Sequence, residues 1–240
     1  MLTVAAESSE SFVVETAQSP MPPTYRELLL GILEHNWAAE AANVSLRFHV
    51  QCCPLHLAPT MEDRAELGAY WADECRHTIM FARLLQELGR ELKPEDYEQD
   101  RPGELLCLPI GSWLEHGLFQ LFADSAGGVH LGDYSRCSYL PLRHAAAEIA
   151  RDEARHIAQG ISNIRKSIVT AADKARAEAL LPTWYAAAVR MFGHTDRPSK
   201  RAAAAIRFGI RRRDNAALLV QYRRNIDRRL SLLGLRAPAI

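Results

Sequence analysis

No apolar run in the 240-residue chain approaches the roughly 18–20 residues that a membrane span requires; the longest, as in RELLLGILEHNW, are broken by charge. A transmembrane helix and a membrane partner are therefore not expected. The N-terminal MLTVAAESSESFVVETAQSPMPP has neither a basic flank nor a continuous apolar core, so residues 1–22 read as a flexible leader and not as a secretory signal. Cys-x-x-Cys pairs are missing too. The five cysteines (Cys52, Cys53, Cys75, Cys107, Cys137) are odd in number and lack a secretion signal, which points to free thiols in a reducing cytoplasm. Adjacent Cys52 and Cys53 read as packing residues at a helix end. Strand and hairpin signals are lacking. Net charge is lacking as well, with 29 basic and 29 acidic residues, but the balance is uneven. Arg190–Arg236 holds thirteen Lys or Arg against Asp196, Asp214 and Asp227, about +10, which the remainder must offset. A basic tail of this kind can face an acidic protein, the phosphates of a coenzyme or nucleic acid, or neutralise an acidic bundle in its own molecule.

Helix-forming residues dominate, and Pro and Gly gather between long stretches with a 3.6-residue apolar period. Four segments are expected, over about 24–53, 60–91, 108–131 and 141–168, followed by shorter helices with breaks near GHTDRPSK and RRRDN. Each pair joined by a short loop must lie antiparallel, and the polar KPEDYEQDRPGE separates the two pairs. The expected fold is all-α: a ferritin-like four-helix bundle over 23–195 with a long central crossover, and a basic helical extension over 196–240 packing on it.

Two pentads repeat within these segments, DECRH at Asp73–His77 and DEARH at Asp152–His156. A lone Glu-x-x-His is weak evidence, since 18 Glu and 9 His would produce roughly 0.7 by chance. The full Asp-Glu-x-Arg-His pattern is expected only roughly 0.003 times, so two copies need a cause, and duplication of a hairpin supplies one. Helical spacing places Leu67, Tyr70, Glu74, His77, Phe81, Leu84 and Leu88 on one stripe. Leu142, Ala146, Ile149, Glu153, His156, Gly160 and Ile164 form the equivalent stripe of the fourth segment. Two carboxylates and two imidazoles in an apolar core are costly unless a metal or tight pairing compensates them.

A metal would need further acids from the other helix of each hairpin, at the same height. Reflecting Glu74 through the first loop leads to Glu40, in the stripe Leu33, Trp37, Glu40, Val44, Phe48, and reflecting Glu153 through the second leads beside Asp124. Glu34 and Glu115 are the rivals, each more than a turn too far from its loop. The resulting set, Glu40, Glu74, His77, Asp124, Glu153 and His156, is one acid from each first helix and a Glu-x-x-His from each second, the pattern of dinuclear iron or manganese bundles. Zinc favours fewer and softer ligands. Asp73 and Asp152 each stand four residues before a histidine and are placed to orient an imidazole, within or across the pair. Arg76 and Arg155 either offset the acidic charge or are paired on the helix flank. Around Asp124 the small residues of FADSAGGVH either leave room for substrate or permit close helix packing.

The stretches YRELLLGILEHNWAAEAA, MEDRAELGAYWADECRHTIMFARLLQELG, EIARDEARHIAQG and RFGIRRRDNAALLVQYRRNIDRRLSLLGLRAP resemble the catalytic subunit of the phenylacetyl-CoA epoxidase family, multicomponent di-iron oxygenases with a ferritin-like fold. The resemblance covers most of the chain from about Tyr25. It implies two iron ions held by Glu40, Glu74, His77, Asp124, Glu153 and His156; the sequence alone leaves a mixed iron and manganese pair open. It implies dioxygen as co-substrate, electrons from an external flavin and iron-sulfur reductase, and association with a related metal-free helical subunit or a second copy of the chain. The expected reaction is hydroxylation or epoxidation of a small organic substrate: an aromatic acyl thioester bound to CoA or a carrier, or a free small molecule. A tRNA-modifying di-iron hydroxylase and a ferritin-like iron-oxidising or storage protein are the alternatives; nucleic acid is the less favoured partner because the tail has few aromatics for stacking bases.

Overall fold

A computed structural model describes residues 13–45, 53–97, 103–197 and 199–238, which contain seven α-helices and no β-strand. These are α1 (Pro23–Val44), α2 (Met61–Glu87), α3 (Trp113–Tyr134), α4 (Leu140–Ser167), α5 (Ala171–Arg190), α6 (Lys200–Arg207) and α7 (Asn215–Ser231). The fold is the expected all-α, ferritin-like bundle with additional C-terminal helices. Among the described residues no helix is long and apolar enough to cross a membrane.

Local chemistry sets the helix ends. Pro23 opens α1, where its missing N–H costs nothing. The hydroxyls of Thr60, Ser112 and Thr170 accept from the amides of Asp63, Glu115 and Asp173, capping α2, α3 and α5. Two boundaries differ from the sequence reading for this reason. The third segment starts at Trp113 instead of Leu108, because Ser112 caps it and the Glu115 carboxylate accepts from the Ser112 hydroxyl at 2.6 Å and the Gly111 amide at 3.1 Å. The second ends at Glu87 because Gly89 adopts φ 75°, a left-handed stop that a side chain resists. The first segment ends at Val44, with Ser45 extended, since Asn, Val and Ser are weak helix formers; Phe48, His49 and Cys52 lie outside the described residues.

Contacts establish the directions of the four long helices. Asn43 meets Glu74 while Arg26 donates to the Leu88 carbonyl, so α1 and α2 run antiparallel. Gly117 approaches Gly160 and Gly127 approaches Glu153, which makes α3 and α4 antiparallel. Asp63 meets Lys166 at 2.8 Å and His77 meets Asp152 at 3.2 Å, so α2 and α4 also run oppositely. Helices α5 and α7 pack on α3, and α6 packs on α1. The basic segment is anchored internally: Asp133, fully buried, accepts from the Arg212 amide at 2.9 Å and the Arg213 guanidinium at 3.1 Å. Arg229 donates to the Ser125 hydroxyl at 2.8 Å, and Arg190 pairs with Glu104.

The expectation of a flexible leader over 1–22 needs correction where the chain is described. Val14 is completely buried, its N–H donates to the Ser138 carbonyl and its own carbonyl accepts from Leu140, both at 2.9 Å. An apolar side chain with both backbone groups paired adds to the core, which a composition reading of this polar stretch misses.

The core is divided into two apolar clusters. One holds Leu67, Tyr70, Leu118, Phe122, Ile164 and residues of α5 and α7; the other holds Leu33, Trp37, Phe81, Ala146 and Ile149. Glu74 and His77 stand between them on α2, and Glu153 and His156 between them on α4. Helices α3 and α4 approach so closely that a Cβ on Gly160 would lie 2.8 Å from the Gln120 Cβ and 2.9 Å from the Gly117 carbonyl oxygen. Gly160→Ala is therefore expected to destabilise the protein by about 1–3 kcal/mol through overpacking. Gly68→Ala, on the open face of α2 where a Cβ meets nothing, should stabilise by about 0.5–1 kcal/mol. Urea unfolding midpoints of the two variants check the contrast.

Candidate metal centre

The two pentads face one another across antiparallel helices. Each aspartate consequently crosses to the other pentad's histidine: Asp152 Oδ2 lies 3.2 Å from His77 Nε2, and Asp73 Oδ2 lies 3.2 Å from His156 Nε2. Arg76 donates to Asp73 at 2.8 Å and to Asp152 at 2.7 Å, and Arg155 reaches the same two carboxylates. Partial burial would lift both carboxyls, but the bonds from Arg76, His156 and Arg155 hold Asp73 down at about 2, and those from Arg76 and His77 hold Asp152 below the usual range.

An ionised carboxylate only accepts, so both Nε2 atoms carry a proton, and in the neutral ring, the form that binds a metal, Nδ1 keeps the lone pair. The Nδ1 atoms of His77 and His156 are buried without a hydrogen-bond partner among the described residues. His77 Nδ1 lies 3.9 Å from Glu40 Oε2, from Glu74 Oε1 and from Glu153 Oε1; His156 Nδ1 lies 3.3 Å from Glu74 Oε1. Donor atoms of Glu40, His77 and Glu153 fall within 4.8 Å of one another, as do those of Glu74, Glu153 and His156. These overlapping triads share Glu153, and Glu74 reaches both imidazoles.

Five of the six expected ligands thus meet in the two triads. Asp124 lies outside them, yet it is buried beside Glu153 with its Oδ2 unpaired among the described residues. Oε1 of Glu74 and Oε2 of Glu153 are also buried without a hydrogen bond. Unsatisfied polar atoms at this density are costly in a closed core, and a cation would satisfy them. Burial first, and the neighbouring Glu74 second, push Glu40 well above the usual carboxylate range. Burial and the charges of Glu74 and Glu40 do the same to Asp124; burial and Asp124, Glu74 and Glu40 do it to Glu153. Burial would raise Glu74 as well, but His156, His77 and the Asn43 amide, which donates at 2.8 Å, outweigh it.

The rival acids have other work. Glu34 is half exposed and pairs with Arg90 at 3.0 Å, and Glu115 caps α3. Sequence reading did not single out Asn43, which holds Glu74, or Tyr70, whose ring meets His156 edge-on at 4.4 Å. Tyr70 was visible as a stripe residue, but Asn43 carried no signal. At Gly127 a Cβ would lie 3.5 Å from the Glu153 carboxylate, an ordinary contact, so packing does not itself require glycine there. Asp152→Asn should leave the fold intact and weaken metal binding roughly 10–100-fold, because a neutral amide replaces the charged acceptor that fixes the His77 tautomer. Chelator competition measures the change.

A family model described as Phenylacetic acid catabolic protein matches residues 17–240. The chain is 24% identical over 233 residues to a protein of Escherichia coli (strain K12) that is named as one subunit of 1,2-phenylacetyl-CoA epoxidase, an alignment covering 93% of this chain and 74% of that protein. With nearly the whole chain matched and part of an epoxidase among its relatives, this all-α protein belongs to the phenylacetic acid catabolic protein family.

Proposed function

We propose that the protein is a di-iron oxygenase, with Glu40, Glu74, His77, Asp124, Glu153 and His156 as the ligands. The observation that carries this reading is the pair of imidazoles whose Nδ1 lone pairs, freed by the crossed Asp73 and Asp152 bonds, face a buried group of four carboxyls. The donor set, four carboxylates and two imidazoles, suits iron or manganese better than zinc. When bound, the two metal ions supply the electrons that reduce dioxygen and allow one oxygen atom to enter an organic substrate, as hydroxylation or epoxidation.

The chain's own residues prepare the site for that chemistry. Asp73 and Asp152 hold the imidazoles in one tautomer, and Arg76 and Arg155 keep both aspartates ionised. Glu74 and Glu153, placed between the histidines, would hold the metal together with them, and Glu40 and Asp124 would complete the set from α1 and α3. Apolar clusters above and below this layer limit the access of water to it. The Escherichia coli relative is named as one subunit of an epoxidase, which supports a working unit in which other chains, a reductase among them, deliver electrons. Internal anchoring of the basic segment by Asp133, Ser125 and Glu104 favours this reading over a tRNA-modifying one.

Anaerobic loading with iron followed by elemental analysis tests the proposal. Wild-type protein should retain about two irons per chain, and Glu74→Ala and Glu153→Ala should each retain clearly less, as expected on loss of a ligand. Absence of iron from the loaded wild type would sink the reading. Because Glu40, Asp124 and Glu153 are held above the usual carboxylate range, they bind protons that a metal must displace. Loading should accordingly release protons and tighten as pH rises, which titration in buffers of different ionisation enthalpy will show.

A further inference from the structure

A cleft of about 500 Å³ adjoins the carboxylate group, bounded by α1, α3, α6 and the segments around Phe192 and Arg211. Glu40 and Gly127 form the part of its wall beside the candidate metal centre, and Ile32, Leu131, Met191 and Phe192 make much of the remainder apolar. Two guanidinium groups also line it. Arg201, on α6, lies across Gly31 so closely that a Cβ at that glycine would clash with its Nη2. Arg211 is 11% exposed along its side chain, and its Nε and Nη2 are buried without a hydrogen-bond partner among the described residues.

Compensation of these charges is partial, since Arg211 has an ion pair with buried Asp133 at 4.0 Å but no hydrogen bond to it. The Asp133 oxygens already serve Arg213 and the Arg212 amide. Among the described residues Glu40 is the sole acid in the lining, and it belongs to the proposed ligand set. The two histidines that line the cleft register the positive field. Burial pushes His35 and His130 down, His130 to about 4, and in each case Arg211 pushes the same way, so both are neutral near pH 7. A buried guanidinium with unused donors is costly, and an anion forking onto it would remove that cost.

We propose that the substrate of this site is a small carboxylic acid, its carboxylate held by Arg211 and Arg201 and its apolar body lying along Ile32, Leu131 and Phe192 toward Glu40. The proposal rests on the oxygenase reading for the word substrate, but the binding itself does not require metal. The volume suits a small organic molecule. Since Arg211 is a largely buried residue of the cleft lining, an anion that it holds must travel with the inserted molecule, whereas coenzyme phosphates would stay outside with the nucleotide.

Calorimetric titration of metal-loaded and metal-free protein with benzoate, phenylacetate and octanoate, with their amides, and with phenylacetyl-CoA tests this. At least one acid should bind, with its amide about tenfold weaker or more, and Arg211→Met should weaken the acid roughly 10–100-fold while leaving the amide unchanged. Arg211→Lys should recover part of the loss. Failure of every acid to bind, equal affinity for acid and amide, or undiminished acid binding in a folded Arg211→Met variant overturns the proposal, as does Arg211 dependence seen with phenylacetyl-CoA alone. If Arg211→Met melts early, Arg201→Met, altered at an exposed residue, carries the same comparison. Acid binding without iron retention would reject the oxygenase reading and keep the anion site; iron retention without acid binding would do the reverse.

Discussion

Burying four carboxyls and two imidazoles in the waist of a helical bundle is the constraint on which the rest of this structure depends. Isolated charges in such a place would cost far more than a domain's whole stability, so each must be neutralised by proton, partner or cation. The helices answer in layers. Toward the flank, Asp73, Asp152, Arg76 and Arg155 form a crossed network that fixes both imidazoles from outside. Toward the axis, Glu40, Asp124 and Glu153 are left with raised proton affinity, and several oxygens have no hydrogen-bond partner among the described residues. The flank is a completed electrostatic arrangement and the axis an incomplete one, and this difference marks the axis as the place where a ligand belongs.

The same layering explains why the apolar core comes in two clusters. A polar sheet of groups through the centre interrupts side-chain packing, and stability must come from above and below it. Close approach at Gly117 and Gly160 joins α3 to α4 on one side, while Phe81, Trp37 and Ile149 pack on the other. Helices α5 and α7 then cover α3, whose buried surface is too extensive for a four-helix bundle alone. The basic residues of the closing segment are partly used up in this covering, and Asp133 anchors Arg212 and Arg213.

Much of this was legible in the residues. Every position of the α2 and α4 stripes is buried as the 3.6-residue period requires, and the reflection about each loop places Glu40 and Asp124 among the central acids. Helix ends were less legible: Ser112 with Glu115 and Gly89 act through single local bonds or one dihedral angle, which apolar periodicity does not register. Val14 looked like part of a polar leader because its burial depends on Ser138 and Leu140, far away in the chain.

By itself, the sequence determined the helical class, the inward faces and the acids and histidines at one height, because these follow from a fixed helical repeat and from the cost of burying charge. It left open whether each aspartate serves its own histidine or the opposite one. Only the antiparallel docking of α2 on α4 decided that, since the crossed bonds exist between helices and not along them. Tertiary structure alone likewise brought His35, His130, Arg201 and Arg211 to one cleft. These residues come from three helices and a loop, and no spacing within any one segment encodes their meeting.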